Sequence, residues 1–93
     1  MSIYVGHKAF AGPFDTVEQV QDRAGLYAVL RKEGRGHRVE ALDQSANLRH
    51  AVEQYMGTSI IGREKMEIAV LYTPGIQKTG RLRMLEEIKI NLD

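Results

Sequence analysis

Ninety-three residues with 13 Lys and Arg against 12 Asp and Glu leave a net charge of +1. That length holds one domain and excludes a second, and the balance excludes a uniformly basic nucleic-acid binder while leaving room for a local basic patch. The absence of cysteine excludes a disulfide scaffold, a thiolate zinc site and a Cys nucleophile, and it fits a cytoplasmic protein. The longest apolar run, Ile68-Ala69-Val70-Leu71-Tyr72, is far short of the ~20 residues of a spanning helix, so no membrane partner is expected. Met1 to Phe10 mixes Tyr4, His7 and Lys8 with apolar residues and does not read as a signal peptide.

Residues 1–13 read as an N-terminal arm with a short extended piece at Ile3-Tyr4-Val5, and residues 14–93 as one domain. Gly12-Pro13 marks a turn. Asp15 and Glu18 have the spacing of a capping box, which predicts a short helix over about 16–22. Leu26 to Arg31 alternates as a strand, with Leu26, Ala28 and Leu30 on one side and Tyr27, Val29 and Arg31 on the other. Gly34-Arg35-Gly36 supplies the turn, and His37 to Asp43 returns as the second strand, with Val39, Ala41 and Asp43 on one side.

Ser45 and Asn47 are candidate N-caps for a helix whose Leu48, Ala51, Val52, Tyr55 and Met56 form an apolar stripe, with Gly57 as its stop. A connection over 58–63 contains Ile60-Ile61. Lys65 to Tyr72 reads as a third strand, ended by Thr73-Pro74-Gly75. Lys78 to Leu92 reads as a last helix that buries Leu82, Leu85, Ile88 and Leu92. The expected fold is α+β: a small three-stranded antiparallel sheet flanked by helices, in the order α-β-β-α-β-α after the arm.

Two motifs stand at a suggestive spacing: Gly25-Leu26-Tyr27 opens the first strand, and Ala41-Leu42-Asp43-Gln44-Ser45 closes the second before Asn47-Leu48. From about Phe14 to the C-terminus the chain resembles a degenerate GIY-YIG nuclease domain. That resemblance places Tyr27 at the tyrosine that helps activate water, and Glu86, or the adjacent Glu87, at the metal-holding glutamate. Ala41 falls where the family has its second tyrosine, Asp43 where it has a glycine, and Ala51 where it has a catalytic arginine.

These departures weigh against catalysis. Ala51 supplies no guanidinium for a transition-state phosphate, and losing such a donor typically costs on the order of 100- to 1000-fold in rate. Asp43 adds a carboxylate where phosphate would lie. Arg49 cannot replace an arginine at 51, because helix positions two apart do not share a face. The expected function is a non-catalytic or strongly impaired domain that binds nucleic acid or assembles with protein. The alternative is a divalent-metal-dependent endonuclease rearranged around Tyr27, Asp43 and Glu86. No cofactor is expected for the first reading; Mg²⁺ or Mn²⁺ held at Glu86 belongs to the second.

The basic residues fall in two groups. Arg31, Lys32, Arg35 and Arg38 with Glu33 give +3 around the hairpin turn, and Lys78, Arg81 and Arg83 give +3 at the start of the last helix. Cations there oppose the helix dipole, which an anion would relieve. With Arg49 these are the candidate contacts to a DNA or RNA phosphate backbone. His7, His37 and His50 show no ligand spacing. Ile3-Tyr4-Val5 and Ile60-Ile61 are apolar segments that could serve a homodimer or a protein partner, as could a sheet edge.

Overall fold

A computed structural model describes residues 2–57 and 66–92. Five strands, two helices and a single 3-10 turn follow one another as β1 (Ser2–Val5), β2 (Lys8–Phe14), the turn Val17–Gln19, β3 (Gly25–Glu33), β4 (Gly36–Ser45), α1 (Leu48–Gly57), β5 (Met66–Tyr72) and α2 (Lys78–Ile90). The strands form one sheet in the order β1-β2-β5-β3-β4. Every neighbouring pair is antiparallel. This corrects the expected three-stranded sheet: among the described residues the sheet has five strands, and two helices rather than three accompany it.

The first difference lies in residues 2–14. They are not a loose arm but a hairpin that pairs with β5 through β2. Val5 and Phe10 are fully buried and Ile3 packs against the same cluster. The alternation that predicts a strand is interrupted by Gly6-His7, which is the hairpin turn, with Gly6 at φ 63°. Gly12-Pro13, expected as a turn, lies inside β2, although Pro13 has no N–H to give to the ladder. It is accommodated where the β2–β5 register shifts between Ala11 and Phe14.

The second difference is the first helix. Residues 16–22 hold only the 3-10 turn. Its box is made by Thr16 and Gln19 rather than Asp15 and Glu18: Gln19 Oε1 accepts from the N–H groups of Thr16 (3.3 Å) and Asp15 (3.2 Å). Val20 must then be buried at once under α1, and this ends the helical path.

β3 is an interior strand of the sheet, paired to β4 along its whole length and to β5 from Gly25 to Arg31. Its residues 25–30 are all buried. The odd and even side chains feed two separate cores. Leu26, Ala28 and Leu30 join Ala69, Leu85 and Ile88 on the face covered by α2. Tyr27 and Val29 join Leu48, Val52, Ile68, Val70 and Val20 on the face covered by α1.

β4 does not alternate as simply as its sequence. Val29 pairs with Ala41 and Leu30 with Val39, so Glu40 is an extra residue, a β-bulge. Val39 and Leu42 therefore both pack on the α2 face, while Ala41 packs on the α1 face. In α2, Arg81, Leu85 and Ile88 are the buried positions, whereas Leu82 and Leu92, expected inside, are exposed. Ile60-Ile61, Lys65 and the side chain of Met56 lie outside the described residues.

Gly25 has a steric reason. A Cβ there would stand 2.2 Å from the Leu71 carbonyl oxygen and 2.9 Å from Leu48 Cδ1. The glycine lets β5 and α1 approach β3 together. Gly25→Ala is expected to destabilise the fold by at least ~1–3 kcal/mol through overpacking. Leu48→Ala, which empties a fully buried site, is expected to cost ~2–5 kcal/mol. Urea denaturation of both variants checks these values.

Candidate functional site

Tyr27 sits on β3 directly opposite Asp43 on β4 and Val70 on β5. It is only 9% exposed. Ala41, Ala51 and Tyr55 pack against the same cluster. The sheet and α1 thus gather Tyr27, Ala41, Ala51 and Asp43 on one face. Burial pushes the Tyr27 phenol pKa up, and the neighbouring Asp43 and Tyr55 push it the same way. A phenol held neutral is a poor base. Asp43 Oδ1 accepts the N–H of the next residue, Gln44, at 2.8 Å.

Glu86 is elsewhere. It lies on the exposed side of α2, whose buried side covers the opposite face of the sheet from Tyr27. Glu87 beside it is also exposed. Among the described residues no three His, Asp or Glu side chains stand close enough to share a metal ion. The residues present do not fit a Mg²⁺ or Mn²⁺ centre that would also engage Tyr27.

The basic cluster at the hairpin is largely neutralised inside the fold. Arg31 Nε and Arg38 both reach Glu40, the latter at 2.8 Å, and Arg38 also meets Glu33 at 3.2 Å. Arg31 and Arg38 are direct cross-strand neighbours, and the bulged Glu40 stands between their like charges. Lys32 Nζ lies 3.8 Å from Glu67, which also takes His37 Nε2 at 2.8 Å. Three cations, Arg31, Lys32 and Arg38, therefore face Glu33, Glu40 and Glu67. Arg35 is exposed at the turn. Paired guanidiniums drive the Glu40 pKa down, led by its hydrogen bond from Arg38. Counting charges along the hairpin alone overlooks Glu67, which only the β3–β5 pairing brings in.

The second basic group divides. Arg81 is 7% exposed. Its Nε donates to Gln44 Oε1 (2.9 Å) and its Nη1 to the Ile76 carbonyl (2.8 Å). It joins the start of α2 to β4 instead of meeting solvent. Lys78 and Arg83 are exposed. Arg49 is exposed on α1, and its Nε donates to the Val20 carbonyl (2.7 Å) while Nη2 donates to that of Glu18 (3.3 Å). Arg49 therefore ties α1 to the 3-10 turn. The structural roles of Arg81 and Gln44 had no sequence signal, because a partner 37 positions away is set by the fold. No enclosed pocket is present among the described residues.

Two outcomes follow. Arg81→Ala leaves the Ile76 carbonyl and the Gln44 amide without their donor, so a loss of ~1–3 kcal/mol is expected in urea denaturation. For Tyr27, the folded-state pKa lies above the unfolded value of ~10. Its stabilising contribution is present below that value and is lost as pH rises through the folded pKa, where the unfolded chain binds fewer protons. Tyr27→Phe is expected to flatten the alkaline part of the stability–pH curve without changing it at neutral pH.

No protein-family model, no curated protein and no solved structure matches this chain.

Proposed function

We propose that the chain is a non-catalytic protein-assembly module. One observation carries this reading: Tyr27 shares its face with Ala41 and Ala51, while Glu86 lies across the sheet from it. A single phosphate cannot meet groups on both sides of a buried strand. The same separation weighs against the alternative endonuclease rearranged around Tyr27, Asp43 and Glu86. The motif resemblance to a degenerate GIY-YIG domain enters here as a proposal, in which the reactive positions are emptied to alanine and the remaining tyrosine serves packing.

Charge favours protein over nucleic acid as the partner. Three of the four hairpin cations, Arg31, Lys32 and Arg38, are paired with Glu33, Glu40 and Glu67, and Arg81 is used inside the fold. Binding to a phosphate backbone needs cations free to displace counterions. Lys78 and Arg83 on α2 and Arg35 at the hairpin turn stay exposed, while the exposed Arg49 spends its donors on the Val20 and Glu18 carbonyls. No helix among the described residues is long and apolar enough to cross a membrane. The lack of cysteine supports the cytoplasm as the place of action.

The test is incubation with supercoiled plasmid, single-stranded DNA and RNA, each with Mg²⁺ and with Mn²⁺. No cleavage above buffer is expected from the wild type. Cleavage that disappears in Glu86→Ala or Tyr27→Phe would overturn the reading. In a gel shift, retention of nucleic acid at physiological salt that Lys78→Ala and Arg83→Ala abolish would move the partner from protein to nucleic acid.

A further inference from the structure

The two edges of the sheet are built differently. β4 carries the bulge at Glu40, the ion pairs of Arg38, and the Gln44 N–H already taken by Asp43. Bulges, charges and occupied donors are the usual means of blocking a sheet edge. β1 has none of them. Ser2-Ile3-Tyr4-Val5 contains no charge and no proline, and its pairing with β2 is regular at all four residues.

The β1–β2 hairpin closes at Val5 and Lys8 across the two residues Gly6 and His7. In an antiparallel ladder successive residues bond to opposite sides, and the pair closing a two-residue turn bonds inward. Ser2 and Tyr4 therefore direct their backbone N–H and C=O groups away from β2. Tyr4 is also 73% exposed. Of the five large apolar side chains exposed among the described residues, Tyr4, Ile90 and Leu92 belong to this end of the molecule. The turn at Gly6 packs against Ile88 and Asn91, so the end of α2 emerges beside β1.

We propose that β1 pairs antiparallel with β1 of a second copy of this chain, about a two-fold axis at Tyr4. This deepens the assembly reading and rests on it, by naming the surface and the partner. The strand is self-complementary in that register. Ile3 faces Val5 of the copy on the α2 side, extending the core to which both already belong. The two Tyr4 rings meet on the other side. A two-fold axis sets each residue against its own kind of neighbourhood, and an uncharged strand meets its copy without like-charge repulsion. Two five-stranded sheets then run on as one.

The chain has no cysteine, so Tyr4→Cys introduces a single thiol that can bridge only between molecules. Residues opposite each other in a hydrogen-bonded antiparallel pair have Cα atoms ~5.5 Å apart, which is the separation a disulfide prefers. Tyr4→Cys is expected to form a disulfide dimer on mild oxidation of the folded protein, whereas Arg35→Cys at the exposed hairpin turn is not. In sedimentation the wild type is expected at twice the monomer mass, and Tyr4→Lys at the monomer mass with an unchanged circular dichroism melt. If Tyr4→Lys does not fold, the Tyr4→Cys result decides. A monomeric wild type overturns the proposal. A dimer that persists in Tyr4→Lys, with no bridge from position 4, also overturns it while leaving association through another surface intact. Failure of the assembly reading itself appears separately, as metal-dependent cleavage lost in Glu86→Ala.

Discussion

A strand buried on both faces cannot exist unless both faces are covered, and β3 imposes that condition on the whole molecule. Six consecutive residues, 25–30, are buried. Leu26, Ala28 and Leu30 demand α2, and Tyr27 and Val29 demand α1. Its backbone demands a neighbour on each side, met by β4 and β5. Gly25 admits the closest approach at one end. A small chain has little apolar surface to spare, so the N-terminal hairpin contributes as well: Val5 and Phe10 complete the core under α2.

The same arrangement decides what the residues of chemical interest can do. Because neighbouring positions on β3 point to opposite layers, Tyr27 belongs to the α1 side while α2 and Glu86 belong to the other. Tyr27 lies among apolar side chains and beside Asp43, where its neutral form is favoured. The charged residues follow a similar logic. Arg31 and Arg38 are set opposite each other by strand register, and the extra residue Glu40 pairs with both. Arg81 reaches inward because α2 turns that position toward the sheet, where Gln44 and the Ile76 carbonyl offer partners. Groups that read as a basic patch are in large part the polar fastenings of the fold.

Part of the structure is legible in the residues. The β3–β4 hairpin follows from alternation around Gly34-Arg35-Gly36, α1 from its apolar stripe, and β5 from its β-rich run. The N-terminal strands are less legible. Val5 and Phe10 are strong strand formers, but Gly6-His7, Ala9, Ala11, Gly12 and Pro13 dilute the pattern, and β2 is held chiefly by pairing to β5. The phase of α2 is hidden for a similar reason. Leu82 is the more apolar residue, yet Arg81 is the one whose stem and guanidinium both find partners. For the candidate site, residue types alone indicate that Ala41 and Ala51 carry no reactive groups. They do not indicate that Tyr27 and Glu86 are separated by a sheet.

Local chemistry, then, was determined by the sequence: the turns at Gly34-Arg35 and Pro74-Gly75, the absence of thiols, and the alanines at positions where the resemblance would need a phenol or a guanidinium. These depend on a few adjacent residues and on covalent structure. Only the tertiary structure decided that the arm becomes two strands, that Glu40 is bulged, that Glu67 joins the hairpin cations, and that one sheet edge is blocked while the other is plain. Each of these is a contact between residues far apart in the chain. Such contacts are set by competition for a shared core and for hydrogen-bond partners, which no local stretch of residues contains.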